Sequence, residues 1–126
     1  MSGTLYVVLR HEGISNPHFD LMLQTEPGSR LATWRMQTWP PPRAPQAAEK
    51  LADHRQDYLT FEGEISGGRG RVERVEQGIC RVKRGADGGW MILLQSLPAG
   101  EKQSLRLRQE SGGGWVCAIM TDEPGA

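Results

Sequence analysis

Short apolar runs alternate with glycine- and proline-rich turns along most of the chain, which is typical of a protein built from short β-strands. The β-branched and aromatic run at residues 5–9 predicts a buried strand. Apolar and polar residues alternate over residues 19–23, so His18 and Asp20 are expected together on the face opposite the core. The Pro-Gly turn that follows predicts a hairpin, with its return strand at residues 31–37.

The rest of the chain continues this pattern, apart from one proline-rich segment and one short helical segment. The prolines at residues 40–42 and 45 predict an irregular crossover, and residues 46–51 predict one or two helical turns. Further strands are predicted at residues 59–65, 71–76, 79–84, 90–97, 104–109 and 115–120. The predicted fold is mainly β, a compact closed or partly open β-barrel of about eight strands with little helix. It forms a single domain over residues 1–126, in which residues 121–126 are expected to be a frayed tail.

Composition places the chain among single-domain globular proteins without a global charge. Its 126 residues include 15 basic and 15 acidic ones, so no overall field draws it onto nucleic acid as it would a polybasic binder. No apolar run reaches the length of a membrane span, and the N-terminus lacks a signal-peptide pattern. These features predict a cytoplasmic protein that does not bind membranes. Cys80 and Cys117 lack the spacing of a metal or redox motif and are expected to be ordinary strand residues.

His11, His18 and Asp20 form a candidate metal site. His18 and Asp20 share a predicted strand face, and His11 ends the preceding strand, from which a loop rich in turn-forming residues can fold back. Two imidazoles and one carboxylate can bind a divalent transition metal and leave open positions that suit Mn, Fe or Zn. Such an ion can polarise a phosphoryl oxygen or activate a water molecule. The alternative is a structural role, which is the commoner one for a histidine taken singly.

A second group of residues carries acid–base and anion-binding chemistry. His54 is free to contact a substrate or act as a general acid, and Tyr58 can donate a hydrogen bond to the same group. The alternative for Tyr58 is an amphipathic strand residue. Arg35, Arg55 and Arg69 are candidates for phosphate binding, because they lie on the polar face of the hairpin, beside His54 and in a glycine-rich turn, respectively. The alternative for each arginine is a solvated surface residue.

Several of these residues fall into an ordered set of motifs between residues 6 and 78. In chain order, the motifs are a strand ending in His11, His18-Phe-Asp-Leu-Met-Leu23, Thr33-Trp34, Asp53-His54-x-x-Asp57-Tyr58, Phe61-Glu-Gly63-x-Ile65 and Gly68-x-Gly70-x-Val72. This set resembles the 3′-phosphoesterase domain of bacterial DNA ligase D. The segment from Arg81 onward matches that domain only as generic β-strands.

The resemblance implies a compact β-barrel that heals DNA ends during repair and end joining. The family uses a divalent metal, typically manganese, to remove a 3′-terminal ribonucleoside and then the 3′-phosphate, leaving a 3′-hydroxyl; Zn and Co are the alternative ions. Its metal ligands fall on His11, His18 and Asp20. Its phosphate-contacting histidine and its active-site tyrosine fall on His54 and Tyr58. The expected partners are 3′ ends of DNA, with or without a terminal ribonucleotide, and a separately encoded ligase or polymerase, and the chain is expected to be a monomer.

Two positions depart from the family pattern. Met22 stands where an arginine normally contacts the phosphate, and Leu9 stands in place of a glutamine. Losing one charge-assisted contact costs roughly 1.5–3 kcal/mol, about ten- to a hundredfold in binding, and Arg35 or Arg55 is expected to compensate. Two other functions stay open: a non-catalytic barrel that binds DNA ends or repair proteins, and a small oxygenase with a two-histidine, one-carboxylate site.

Overall fold

The computed structural model describes residues 3–120, which contain nine β-strands and one short 3₁₀ helix. The elements are β1 (Thr4–Glu12), β2 (His18–Gln24), β3 (Leu31–Met36), β4 (Gln46–His54), the 3₁₀ helix η1 (Gln56–Leu59), β5 (Gly63–Glu64), β6 (Arg71–Arg84), β7 (Trp90–Ser96), β8 (Lys102–Gln109) and β9 (Trp115–Met120). No helix in this part of the chain is long and apolar enough to cross a membrane. The predicted tail at residues 121–126 lies outside the described residues.

Eight of the strands close into an antiparallel β-barrel. They follow the order β1-β2-β3-β4-β9-β8-β7-β6, and the pairing of β1 with β6 closes the ring. The two-residue strand β5 pairs with the start of β6. This architecture confirms the predicted mainly β fold and shows that the barrel is closed.

Large apolar side chains fill the barrel interior. Trp34 is fully buried in this interior, with its ring edge-to-face against Trp90 at 4.6 Å and Trp115 at 6.0 Å between centroids. Such aromatic pairs contribute about 0.5–1.5 kcal/mol beyond the burial of their surface. The alternation of β2 sends Leu21 and Leu23 into this interior, as the sequence predicts.

A second, smaller apolar cluster lies on the outer side of β1, β2 and β3. Tyr58 and Leu59 of η1 and Ile65 from the segment after β5 pack against this cluster. A 3₁₀ helix too short to be stable alone is held in place by such packing. The buried members of this outer cluster are Val7, Leu9, Met22, Leu31 and Val72.

Three predicted elements are wrong in their type or extent. Residues 46–51 are helix formers by composition, but they lie in strand β4 because pairing with β3 and β9 outweighs their propensity. Residues 59–65, predicted as one strand, contain the end of η1 and the short strand β5. The turn predicted at Gln77-Gly78 is absent within the single strand β6, where a Cβ at Gly78 would collide with the backbone carbonyl of Gln95 on β7.

Candidate metal centre

The ends of β1 and β2 bring together the three residues of the predicted metal site. His11 is paired directly with His18 across the two strands, and their ring centroids are 4.9 Å apart. His18 and Asp20 are two residues apart on β2 and project from the outer face of the barrel, opposite the interior residues of the same strand. One donor atom from each of His11, His18 and Asp20 lies within 4.8 Å of the other two, so the cluster could hold a metal ion.

The tautomer of His18 directs a free lone pair into the cluster. Its Nδ1 lies 2.8 Å from the carbonyl oxygen of Asn16, and because a carbonyl oxygen only accepts, Nδ1 carries the proton. Nε2 is then the unprotonated nitrogen. It is buried without a hydrogen-bond partner among the described residues, as is only one other side-chain atom, Nε1 of Trp34. It faces Oδ2 of Asp20 at 3.5 Å.

A buried lone pair facing a carboxylate is unfavourable unless a cation lies between the two atoms. Either a proton on Nε2 of His18 or a metal ion satisfies both atoms. A proton needs only His18 and Asp20, whereas the structure also places a donor atom of His11 within 4.8 Å of the donor atoms of those two residues. The donor set therefore fits a metal ion.

His11 is oriented by a carbonyl group in the same manner as His18. Its Nε2 lies 2.7 Å from the carbonyl oxygen of Arg69, so Nε2 carries the proton and Nδ1 keeps the lone pair. Metal-binding histidines commonly donate their second ring nitrogen to a carbonyl or carboxylate, which fixes the ring and its tautomer. Both histidines of the cluster have this arrangement.

Asp20 divides its two oxygens between the cluster and an arginine. Its carboxylate is buried, and Oδ1 accepts a hydrogen bond from Nε of Arg35 at 3.3 Å. Arg35 lies opposite Asp20 on β3, and its side chain is 32% exposed. The arginine therefore orients the carboxylate and places a partly solvated cation beside the cluster, where it can contact an anionic ligand.

His54 is not part of the cluster. It pairs with Leu31, which pairs with Gln24, four residues along β2 from Asp20; this corresponds to about 13 Å of strand. Nδ1 of His54 donates to the carbonyl oxygen of Ala52 at 2.9 Å, which leaves the lone pair on Nε2.

The three other residues predicted to act on a substrate line one cleft. Tyr58, Arg55 and Arg69 border a cleft of about 290 Å³ between η1 and the turn after β5. The ring of Tyr58 is edge-to-face with that of His54, with 5.5 Å between centroids. The structure thus separates the predicted residues into two groups. Arg35 lies with the candidate metal site, whereas Tyr58 borders the cleft, next to His54.

Met22 and Leu9 do not face solvent in this region. They are 2% and 0% exposed and belong to the outer apolar cluster, against which Tyr58 and Leu59 pack. The floor next to the metal cluster is therefore apolar at the two positions where the family pattern has polar residues.

Two main-chain contacts of the site were missed by sequence reasoning. The carbonyl groups of Asn16 and Arg69 orient the two histidines, and carbonyl groups are common to all residues, so no residue type marks their position. The position next to Arg69, however, is marked by its residue type, Gly70. Its φ is +82°, and a Cβ at this position would lie only 3.2 Å from Nε2 of His11, so both the backbone and the space require glycine.

No protein-family model matches the chain, and no curated protein matches it significantly. The resemblance to the phosphoesterase domain therefore depends on the ordered residues alone.

Proposed function

We propose that the protein is a divalent-metal-dependent phosphoesterase that acts on the 3′ ends of nucleic acids, removing a 3′-terminal ribonucleoside or a 3′-phosphate in DNA repair. The observation that carries this proposal is the orphaned Nε2 of buried His18, which faces Asp20 with a donor of His11 beside it. The choice of manganese and of 3′ ends follows from the family resemblance.

Different residues of the chain would have different roles in such a reaction. His11, His18 and Asp20 would hold the ion, which when bound polarises a phosphoryl oxygen and lowers the pKa of a bound water molecule. Arg35 would contact the non-bridging phosphate oxygens, since it is the cation nearest to Asp20 in the described residues. His54 and Tyr58 would contact the substrate from the cleft side, with Nε2 of His54 available for proton transfer.

Phosphate release from a 3′-phosphorylated primer–template, measured with Mn, Co and Zn, tests the proposal. We expect turnover by the wild type with Mn and its loss in Asp20→Asn, because the asparagine side chain is a weaker ligand than a carboxylate. Metal binding is measured separately as thermal stabilisation, which reaches roughly 2.7 kcal/mol when the ion is at a hundred times its Kd.

His54→Ala is the matched variant for this experiment. It should keep the stabilisation by Mn, because His54 lies outside the cluster, and it should lower turnover at least a hundredfold if the ring transfers a proton. Metal binding by the wild type without turnover on any of the three ions would rule out the catalytic function.

A specific observation also favours a second function, a barrel that binds nucleic-acid 3′ ends without cleaving them. The apolar floor formed by Leu9 and Met22 offers no hydrogen bond to a phosphate. Binding of a fluorescent 3′-phosphorylated duplex, measured by anisotropy and weakened by salt, together with an absence of phosphate release, would favour this function over the first.

A further inference from the structure

The cleft between η1 and the turn after β5 carries a combination of side chains that the metal cluster does not use. Its volume is about 290 Å³, close to the lower limit of about 300 Å³ for small-molecule sites. This size suits one small ligand. The cleft is lined by Arg55, Asp57, Tyr58 and Phe61 on one side and by Glu64, Ile65, Ser66 and Arg69 on the other.

One wall of the cleft is aromatic and partly open to solvent. Phe61 is 37% exposed, although it is a large apolar side chain. Its ring is edge-to-face with that of Tyr58, at 5.9 Å between centroids, and Tyr58 is held in turn against His54. An exposed aromatic ring that is held in place by contact with a second ring is a suitable surface for stacking a planar base.

The opposite wall is polar, and its arginine is fixed in place. Arg69 donates from Nε to the carbonyl oxygen of Ser66 at 2.8 Å and from Nη2 to its hydroxyl oxygen at 3.4 Å. Arg55 and Arg69 give the cleft two positive charges, and Asp57 and Glu64 give it two negative ones. This balance favours a ligand with one phosphate group over a polyphosphate, because the carboxylates repel additional charge.

The cleft adjoins the metal cluster through a single residue. The same Arg69 whose side chain lines the cleft accepts a hydrogen bond from His11 through its carbonyl oxygen, at 2.7 Å. Beneath the cleft, Tyr58 and Ile65 pack against the outer apolar cluster, which includes Leu9 and Met22. The two cations on this side, Arg55 and Arg69, lie immediately before η1 and in the glycine-rich turn, while the sheet beneath contributes apolar side chains.

We propose that this cleft binds one nucleotide unit, with its base stacked on Phe61 and its phosphate at Arg55 and Arg69. The unit is the last nucleoside of the strand whose 3′ end reaches the metal cluster, so the inference deepens the proposed function and depends on it for the identity of that strand. The base contact, the single phosphate and the proximity to His11 together assign the cleft to a nucleotide.

Calorimetric titration of adenosine 5′-monophosphate into the protein in the presence of EDTA tests this assignment, because the phosphate on the 5′ side is the one that the cleft would hold. We expect the nucleotide to bind at least tenfold more tightly than ribose 5-phosphate, because one base–aromatic stack contributes about tenfold or more in affinity. ATP should bind no more tightly than the monophosphate. Equal affinity for the nucleotide and ribose 5-phosphate overturns the assignment without requiring any variant to fold.

Phe61→Ala supplies the second measurement, with Leu93→Ala as the matched control. Both side chains are exposed, at 37% and 40%, but Leu93 lies on β7 and does not line the cleft. Phe61→Ala should weaken nucleotide binding about tenfold, and Leu93→Ala should leave it unchanged. Equal binding by the two variants would also overturn the assignment.

These titrations are independent of turnover and can be separated from the test of the proposed function. Nucleotide binding without phosphate release under any metal keeps the cleft assignment and rejects the phosphoesterase. Phosphate release by a protein that binds the nucleotide and ribose 5-phosphate equally well would keep the phosphoesterase and reject the cleft assignment.

Discussion

At the scale of single residues, the chemistry of the cluster depends on which nitrogen of each histidine carries the proton. His18 donates from Nδ1 to Asn16, and His11 donates from Nε2 to Arg69. The lone pairs of the two rings therefore lie on different nitrogens, Nε2 in His18 and Nδ1 in His11, although the two residues are paired across neighbouring strands. Carbonyl groups outside the ligand set fix both choices, so the loops that carry those carbonyls are part of the site.

A substitution at Met22 tests whether the arginine of the family pattern can be restored at this position. We expect Met22→Arg to destabilise the protein by several kcal/mol, because the guanidinium would be buried in an apolar cluster without a partner. Met22→Leu, which conserves volume and polarity, should cost less than about 1.5 kcal/mol. Urea unfolding of the two variants measures the difference.

Wild-type stability in Met22→Arg would contradict the packing of η1 over this position. That result would mean that Tyr58 and Leu59 move away from β2 and leave the arginine in solvent. An increase in binding of 3′-phosphorylated DNA would accompany such a movement.

The residues of the candidate metal site could be predicted from the sequence, but their surroundings could not. Alternation along β2 places His18 and Asp20 on one face, and the short connection from β1 returns the chain beside His11. The same alternation places Met22 on that face, yet it gives no indication that η1 covers it. Coverage depends on how residues 56–65 fold back, and this follows from tertiary packing that no local pattern describes.

At the scale of elements, the turn between β5 and β6 controls the position of His11. Gly70 adopts a φ of +82°, and a Cβ there would collide with the carbonyl oxygen of Glu12 and approach Nε2 of His11 to 3.2 Å. Gly68 lies in the same turn with a φ of +69°, but a Cβ there meets nothing within 4 Å. The two glycines therefore have similar backbone conformations, which would be strained in any other residue, but different surroundings.

Gly70→Ala should weaken Mn binding at least tenfold, because the added methyl group displaces the Arg69 carbonyl from His11. Loss of a residue that orients a metal ligand typically costs 10- to 100-fold in affinity. Gly68→Ala carries the penalty of positive φ, of order 1 kcal/mol, but should leave Mn affinity unchanged. Titration of both variants with Mn, followed by thermal shift, makes the comparison; equal affinities would show that the turn does not position His11.

Strand β6 shows how one extra residue changes the faces of a strand. The partners of Val8 and Leu9 are Glu76 and Arg74, so Val75 is the additional residue of a β-bulge. Before the bulge, Val72 lies in the outer cluster; after it, Cys80 lies in the barrel interior, although both have even numbers. The period-two pattern therefore breaks inside a single strand, where the sequence predicts two strands joined at Gln77-Gly78.

The bulge also directs a carboxylate toward the barrel core. Glu76 accepts hydrogen bonds from the Tyr6 hydroxyl at 2.6 Å and from Nε1 of Trp39 at 2.9 Å. Both oxygens are thus paired, which offsets the cost of partial burial. Through Trp39, this contact attaches the proline-rich crossover to β1 and β6.

At the scale of the whole molecule, closure follows from pairings that are distant in sequence. The number of short strands predicts a barrel, and β4 completes it by pairing with β9 through Gln46, Ala47 and Ala48. These residues favour a helix when considered alone. Their strand conformation is imposed by the two open edges on either side, information that is absent from the local sequence.

Buried acidic groups with raised pKa values are expected to make the whole barrel less stable as the pH rises into the alkaline range. Burial and the hydrogen bond to Glu76 raise the pKa of Tyr6 well above its usual range. Burial raises the pKa of the Cys117 thiol to about 12 and also raises the pKa of Cys80. In the folded protein these groups remain protonated at pH values at which they ionise in the unfolded chain.

We therefore expect the free energy of unfolding to be constant with respect to these groups below about pH 9 and to fall above it. The unfolded chain then binds fewer protons than the folded one, which gives a slope of about −1.4 kcal/mol per pH unit for each ionising group. Cys117 alone should account for about 2 kcal/mol of lost stability by pH 10.5. Urea unfolding between pH 8 and 10.5 at constant ionic strength measures the slope.

Cys117→Ala should be less stable than the wild type at pH 8, but its stability should decline less steeply with pH, since one of the titrating groups is gone. Identical slopes in the two proteins would show that the thiol ionises equally in the folded and unfolded states.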